Sequence, residues 1–135
     1  MGEVEEKVKG YLAVIKNENK KINAFLSLNP DALADARAVD KNKKKGKLAG
    51  LVIGVKSNIC VKGLETNCAS KTLEGWIAPY DATVVEKLKA EDAVIIGMLN
   101  MDEFACGSGG VHGAFGSVQN PVVPGRVPGG SSSGA

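Results

Sequence analysis

A chain of 135 residues with 17 Lys+Arg against 15 Asp+Glu carries a formal net charge of +2, too little for a general nucleic-acid or membrane surface. Its 44% apolar residues can supply a core, but aromatics make up only 4%, so that interior must be Val, Ile, Leu and Ala, as when helices cover a sheet. No apolar run approaches the roughly 18–20 residues that cross a bilayer, no charged-then-apolar leader is evident, and Cys60, Cys68 and Cys106 form no C-x-x-C pair, so a reducing cytoplasm is expected.

Val4, Val8, Tyr11, Leu12 and Ile15 recur at three- and four-residue steps among charged residues, which predicts an amphipathic helix over 2–16. The partly alternating run from Ile22 to Leu28 predicts a strand, closed by Asn29-Pro30. Asp31 is placed to cap a second helix that carries Ala32, Leu33, Ala36 and Val39 on one face and reaches the low forties. The basic run from Lys41 to Lys47 has two readings. Its adjacent ammonium groups could contact RNA phosphates, or they could form a solvated helix end in which lysines complement exposed carbonyls.

Leu51 to Val55 reads as a buried strand with Lys56 at its far end, followed by irregular chain from Val61 to Ser70 and a turn at Gly63. Asp81 is a natural N-cap for a helix with Val84, Val85 and Leu88 on one face, and Ala93 to Gly97 reads as a core strand. Strand, helix and strand in that order imply a right-handed βαβ unit with parallel strands. Asn100 to Cys106 predicts a short helix capped by Asn100, with Asp102 and Glu103 as its N-terminal charges, opening into Gly107-Ser-Gly-Gly110.

From Phe115 to Ala135 prolines fix φ and glycines free it, so this end is a shaped loop whose tip is Gly129-Gly130-Ser131-Ser132-Ser133-Gly134. Such a tip either binds an anion or handles a proton, and Lys56 is the best upstream partner for the second task. A lysine at a strand end usually snorkels to water, whereas one kept inside gives up its charge readily and becomes a proton acceptor. No Gly-Lys-Ser/Thr follows the loop, as a phosphate-binding P-loop requires. The spacings Cys60-x7-Cys68 and Cys106-x5-His112 do not suit zinc, and His112 reads as a surface or packing residue.

Four motifs in this order, Gly50-Leu-Val-Ile-Gly-Val-Lys-Ser-Asn-Ile59, Pro79-Tyr-Asp-Ala-Thr-Val-Val85, Asn100-Met-Asp-Glu-Phe-Ala105 and Pro128-Gly-Gly-Ser-Ser132, resemble the amidase signature family. The resemblance runs from about Ile22 to the last residue. Within the family, the Asn-Met-Asp-Glu-Phe stretch and Cys68-Ala-Ser-Lys71 are most similar to the branch of A subunits of the glutamyl-tRNA(Gln) amidotransferases. It implies an α/β fold, the N-terminal part of a mixed sheet covered by helices. The chain would be the N-terminal portion of a single amidase domain, with helices over about 1–45 and the start of the catalytic core over about 46–135.

The resemblance also implies chemistry. Family members use a Ser–cis-Ser–Lys triad, in which a neutral lysine draws a proton through a bridging serine, held by a cis peptide, from the serine that attacks a carboxamide. By motif position Lys56 matches the lysine and Ser131 the bridging serine. The nucleophile belongs to a second Gly-rich segment further along than Ala135, so the 135 residues alone are expected to be inactive. Ser108 matches a loop that lines the substrate pocket. Ser57 stands where many members carry aspartate, Met98 where a lysine is common and Ala135 where serine is usual.

In that branch, ammonia released from glutamine converts Glu-tRNA(Gln) to Gln-tRNA(Gln). The implied partners are amidotransferase subunits B and C, with glutamine as substrate and Glu-tRNA(Gln) reached through the complex. No cofactor is expected on this chain, ATP and Mg being used by the partner subunit. Two other readings are another amidase-signature hydrolase and a non-catalytic module that docks on a partner. An anion- or nucleotide-binding domain built on the terminal Gly/Ser loop is a further alternative.

Overall fold

The computed structural model describes residues 2–135. Helix α1 (Glu3–Ile22) leads into strand β1 (Phe25–Leu28), helix α2 (Ala32–Lys41), strand β2 (Val52–Lys56), helix α3 (Thr83–Ala90) and strand β3 (Val94–Leu99). Single 3₁₀ turns lie at Lys71–Leu73 and Glu103–Ala105. The strands form one mixed sheet in the order β1-β3-β2, with β1 antiparallel and β2 parallel to the central β3. All six residues of β3 are buried, which is why its sequence is a continuous apolar run and not an alternating one.

Neighbouring residues of a strand face opposite sides of a sheet, so Val94 and Ile95 mark the two faces of β3. Val94 packs with Val4 and Val8 of α1 and with Ala32, Ala36 and Val39 of α2. Ile95 packs with Val55, Val61, Leu64, Val85 of α3 and Met98. Helices therefore cover both faces, and β2-α3-β3 is the expected βαβ unit with adjacent parallel strands.

The helix pair is fastened at one end. The first N–H groups of any helix lack partners within it, and those of Val4 and Glu5 donate instead to the two carboxylate oxygens of Asp40 at 3.1 and 3.0 Å. The N–H of Glu5 is the main influence holding the Asp40 carboxyl below its ordinary value, against the opposing effect of desolvation. Arg37 of α2 adds a 3.0 Å contact to Glu5.

Several boundaries differ from the sequence expectation for identifiable reasons. Helix α1 runs past residue 16 to Ile22, because Asn17 to Lys21 contain no helix breaker; Asn23, at φ 57°, ends it by donating its N–H to the Asn19 carbonyl. Asp31 makes no side-chain cap; Asn29 Oδ1 accepts from the Asp31 N–H instead. Asp81 does not cap α3 either, because its carboxylate accepts from the Lys62 N–H at 2.7 Å and from Lys89 Nζ at 2.8 Å. Strand β2 extends one residue further than expected, which brings Lys56 into the ladder opposite Leu99. No described helix is long and apolar enough to cross a membrane.

Candidate active site

Parallel strands end at the same edge of a sheet, and the crevice beyond their carboxyl ends is where open α/β sheets place their sites. Here β2 ends at Lys56 and β3 at Leu99, side by side. The chain leaving β3 passes through Asn100, Met101 and Asp102, all buried, and the Gly/Ser loop lies against it. The Asp102 N–H donates to the Ser131 carbonyl at 3.1 Å, and the Gly134 N–H donates to the Asn100 carbonyl at 3.0 Å. A Cβ on Gly134 would come within 2.8 Å of the Asn100 nitrogen, so the loop tip can lie this close only with glycine there.

This seating brings together the two residues singled out from the sequence. Lys56 Nζ lies 2.8 Å from Ser131 Oγ and donates a hydrogen bond to it, across 75 positions of chain. Both residues are partly buried. The contact runs in reverse when the amine is neutral, since a hydroxyl can donate as well as accept. The pair can therefore pass a proton in either direction.

The cis peptide that the family resemblance implied before Ser131 is not present: every described peptide bond is trans. The loop turns by positive φ at Gly129 (98°) and Gly130 (59°), a route open to glycine at little cost and compatible with the trans bond favoured at non-proline positions.

Asp102 organises the surroundings. Its carboxylate is completely buried and accepts from the Gly110 N–H at 3.0 Å and the His112 N–H at 2.9 Å, while its own N–H holds Ser131. Burial alone would raise this carboxyl. The N–H groups of His112 and Gly110 outweigh it, aided by the His112 ring and the Gly109 N–H, and hold the group below the ordinary aspartate value. One residue, through its side chain on one side and its main-chain N–H on the other, thus ties the Gly-rich loop at 107–110 to the serine loop.

The sequence expectation missed this role. The short helix expected over 100–106 is reduced to the single 3₁₀ turn at Glu103–Ala105, because Phe104 and Ala105 sit at φ 49° and 60°, where a right-handed helix cannot continue. Asn100 is no cap: its side-chain amide donates to the Asn23 and Gly116 carbonyls and its Oδ1 accepts from the Met101 N–H. The available signal was a carboxylate five residues ahead of a Gly-Ser-Gly-Gly run, whose free N–H groups need an acceptor.

Ser108 lies on the tethered loop and is exposed. His112 is exposed as well, and its main chain serves Asp102. Ser57, fully buried, bonds Asn67 through its hydroxyl, which donates to Oδ1 at 3.1 Å and accepts from the N–H at 3.2 Å, so it shapes the segment that follows β2. Burial, with Cys60 nearby, pushes the Cys68 thiol above its ordinary value, the opposite of an activated nucleophile.

Comparison with known proteins gives a concordant result. A family model described as Amidase matches residues 6–135. The A subunit of the glutamyl-tRNA(Gln) amidotransferase of Methanocaldococcus jannaschii is 51% identical over 133 residues, 96% of this chain and 31% of that protein. Among solved structures, the A subunit of the glutamyl-tRNA(Gln) amidotransferase of Thermotoga maritima superposes with a TM-score of 0.83 at 38% identity, over 98% of this chain and 27% of that one. The peptide amidase of Stenotrophomonas maltophilia does so with a TM-score of 0.90 at 30% identity, over 99% and 30%. The chain thus spans less than a third of the length of these relatives. With the family match running through both the Lys56 strand and the Ser131 loop, the chain belongs to the amidase family.

Proposed function

We propose that Lys56 and Ser131 are the base and the bridging group of a Ser–Ser–Lys relay, and that this chain works in the glutaminase subunit of a glutamyl-tRNA(Gln) amidotransferase. The observation that carries the reading is the 2.8 Å contact between Lys56 Nζ and Ser131 Oγ. Serine attacks poorly until a positioned base takes its proton, and a neutral lysine can serve through a second hydroxyl. As the attacking serine bonds to the carboxamide carbon of glutamine, its proton moves to Ser131 and that of Ser131 to Lys56. Returned by the same path, the proton leaves with the amine as ammonia. Water then cleaves the acyl-enzyme, so that glutamine and water give glutamate and ammonia.

The attacking serine and the N–H groups that stabilise the oxyanion would come from residues outside these 135, which make up the N-terminal portion of one amidase domain. Subunits B and C would complete the enzyme, ATP and Mg acting on the partner to activate Glu-tRNA(Gln) for attack by ammonia. A cytoplasmic location belongs with this role. The similarity to a peptide amidase favours one second reading, hydrolysis of a different amide on the same relay. The higher identity to the amidotransferase relatives, 51% and 38% against 30%, supports glutamine.

Ammonia release from glutamine by the assembled enzyme tests this directly. Ser131→Ala is expected to lower kcat by about 10²–10⁴-fold with little change in KM, as loss of a proton-transfer group does. An unchanged rate would remove Ser131 from the mechanism. Turnover of peptide amides but not glutamine would select the second reading.

A further inference from the structure

The loop that follows α2 displays lysines in a way that a solvated helix end does not require. Lys41, Lys43, Lys44, Lys45 and Lys47 are all exposed, and no ion pair joins any of them to a carboxylate among the described residues. Only Lys41 lies within the helix, whose end is already closed by the Asn42 N–H donating to the Ala38 and Val39 carbonyls. The remaining four follow the helix, and of them Lys45 lies near enough to Asp40 to help hold that carboxyl below its ordinary value.

The loop is also held in shape. Asp92 Oδ2 accepts from the Gly46 N–H at 2.6 Å and its Oδ1 from Asn42 Nδ2 at 2.9 Å; the Glu91 side chain accepts from the Lys47 N–H at 2.7 Å and its carbonyl from the Leu48 N–H at 2.9 Å. The neighbouring acids are thus turned to the backbone, as Asp40 is turned to the start of α1. Their charge remains, so five lysines face three carboxylates across this corner, a local excess of cations on a chain of net +2.

From this we infer that the 41–47 loop is a docking site for the phosphate backbone of RNA. A row of ammonium groups on a pre-shaped loop neutralises successive phosphates and releases their counterions, with no ordering cost for the loop itself. The flanking side chains of Asp40, Asn42 and Leu48 offer no aromatic platform for stacking bases, so the contact is one of charge without sequence preference. RNA is chosen over a lipid surface because the loop carries no apolar side chain within 41–47 to enter a bilayer. That choice rests on the tRNA-dependent role proposed above, but the site itself does not depend on the Lys56–Ser131 relay.

Binding of a fluorescein-labelled tRNA transcript to the assembled enzyme, followed by anisotropy across a salt series, tests the site without any catalytic readout. The expected result is binding that weakens linearly in log–log salt, with a slope smaller by about 2–3 in K43Q/K44Q/K45Q. The matched triple K16Q/K20Q/K21Q on α1 should leave slope and affinity unchanged, and far-UV circular dichroism would confirm that both triples fold. Equal losses in the two triples, no tRNA binding at low salt, or binding to phosphatidylserine vesicles in place of tRNA would each overturn the inference. Failure here with glutaminase activity intact would leave the relay standing, and loss of glutaminase in Ser131→Ala with tRNA binding intact would do the reverse.

Discussion

On the proposed relay, Lys56→Ala in the assembled enzyme is expected to lower kcat for glutamine by at least about 10³-fold, roughly 4 kcal/mol of transition-state stabilisation. The reason is geometric before it is electrostatic. Lys56 ends a strand whose neighbour in the ladder is Leu99, and its nitrogen meets Ser131 Oγ at 2.8 Å; without it, in the proposed relay, the Ser131 hydroxyl would have no base to pass its proton to. Lys56→Arg separates this role from a mere positive charge. Guanidinium keeps the charge and the length but stays protonated, so it cannot act as a base and should be nearly as inactive as alanine. KM should change little in either variant, because the loss falls on a step after binding. Activity retained in Lys56→Ala, measured as ammonia release, would refute the base assignment.

Asp102→Ala should have the largest effect on stability. It leaves the buried Gly110 N–H and the part-buried His112 N–H without their acceptor, a cost of about 3 kcal/mol. That corresponds to a fall in Tm of roughly 10 °C in thermal unfolding. Alanine keeps the main-chain N–H that holds the Ser131 carbonyl, but it frees Gly110, which packs against Ser133 and Pro128 of the serine loop, so kcat for glutamine should fall by about 10²-fold even where the variant is fully folded, as happens when a positioned group is displaced.

The pH dependence follows from the depressed carboxyl. Its folded value lies below the unfolded one, so its stabilising contribution is complete above the ordinary aspartate value of 3.8 and disappears as pH falls through the folded value. Asp102→Asn keeps the shape and one acceptor but turns an NH₂ toward one of the two N–H groups. The gap in Tm between wild type and Asp102→Asn should therefore be widest near neutrality and close on acidification below about pH 4. A gap independent of pH would show that the charge has no part in holding the loop.

The parts of the fold that could be read in advance are those that a local pattern dictates. β2 and β3 are apolar runs too short for helices, and α2 shows a small-residue face that packs on Val4 and Val8 of α1. The meeting of Lys56 and Ser131 was legible because one closes an apolar strand and the other heads the Gly/Ser tip, each at a position that matches a family motif. What was not legible depends on contacts distant in sequence. Asp31, Asp81 and Asn100 all have the chemistry of helix caps, yet Asp81 is drawn to Lys62 and Lys89 and Asn100 to the carbonyls of Asn23 and Gly116. Asp102 has the sequence position of a helix-dipole charge, but the left-handed φ of Phe104 and Ala105 removes the helix and leaves its carboxylate for the glycine loop. The trans linkage at the serine loop departs from the pattern that the family resemblance implied.

The relay stands on one contact, between the terminal amine of β2 and the first hydroxyl of the Gly/Ser loop. A crystal structure of the assembled enzyme measures it without reference to any rate. Lys56 Nζ and Ser131 Oγ are expected at hydrogen-bond distance, near 2.8 Å, with the Ser131 carbonyl held by the Asp102 N–H. A Lys56 side chain turned out to solvent, with Ser131 bonded to some other group, would contradict it.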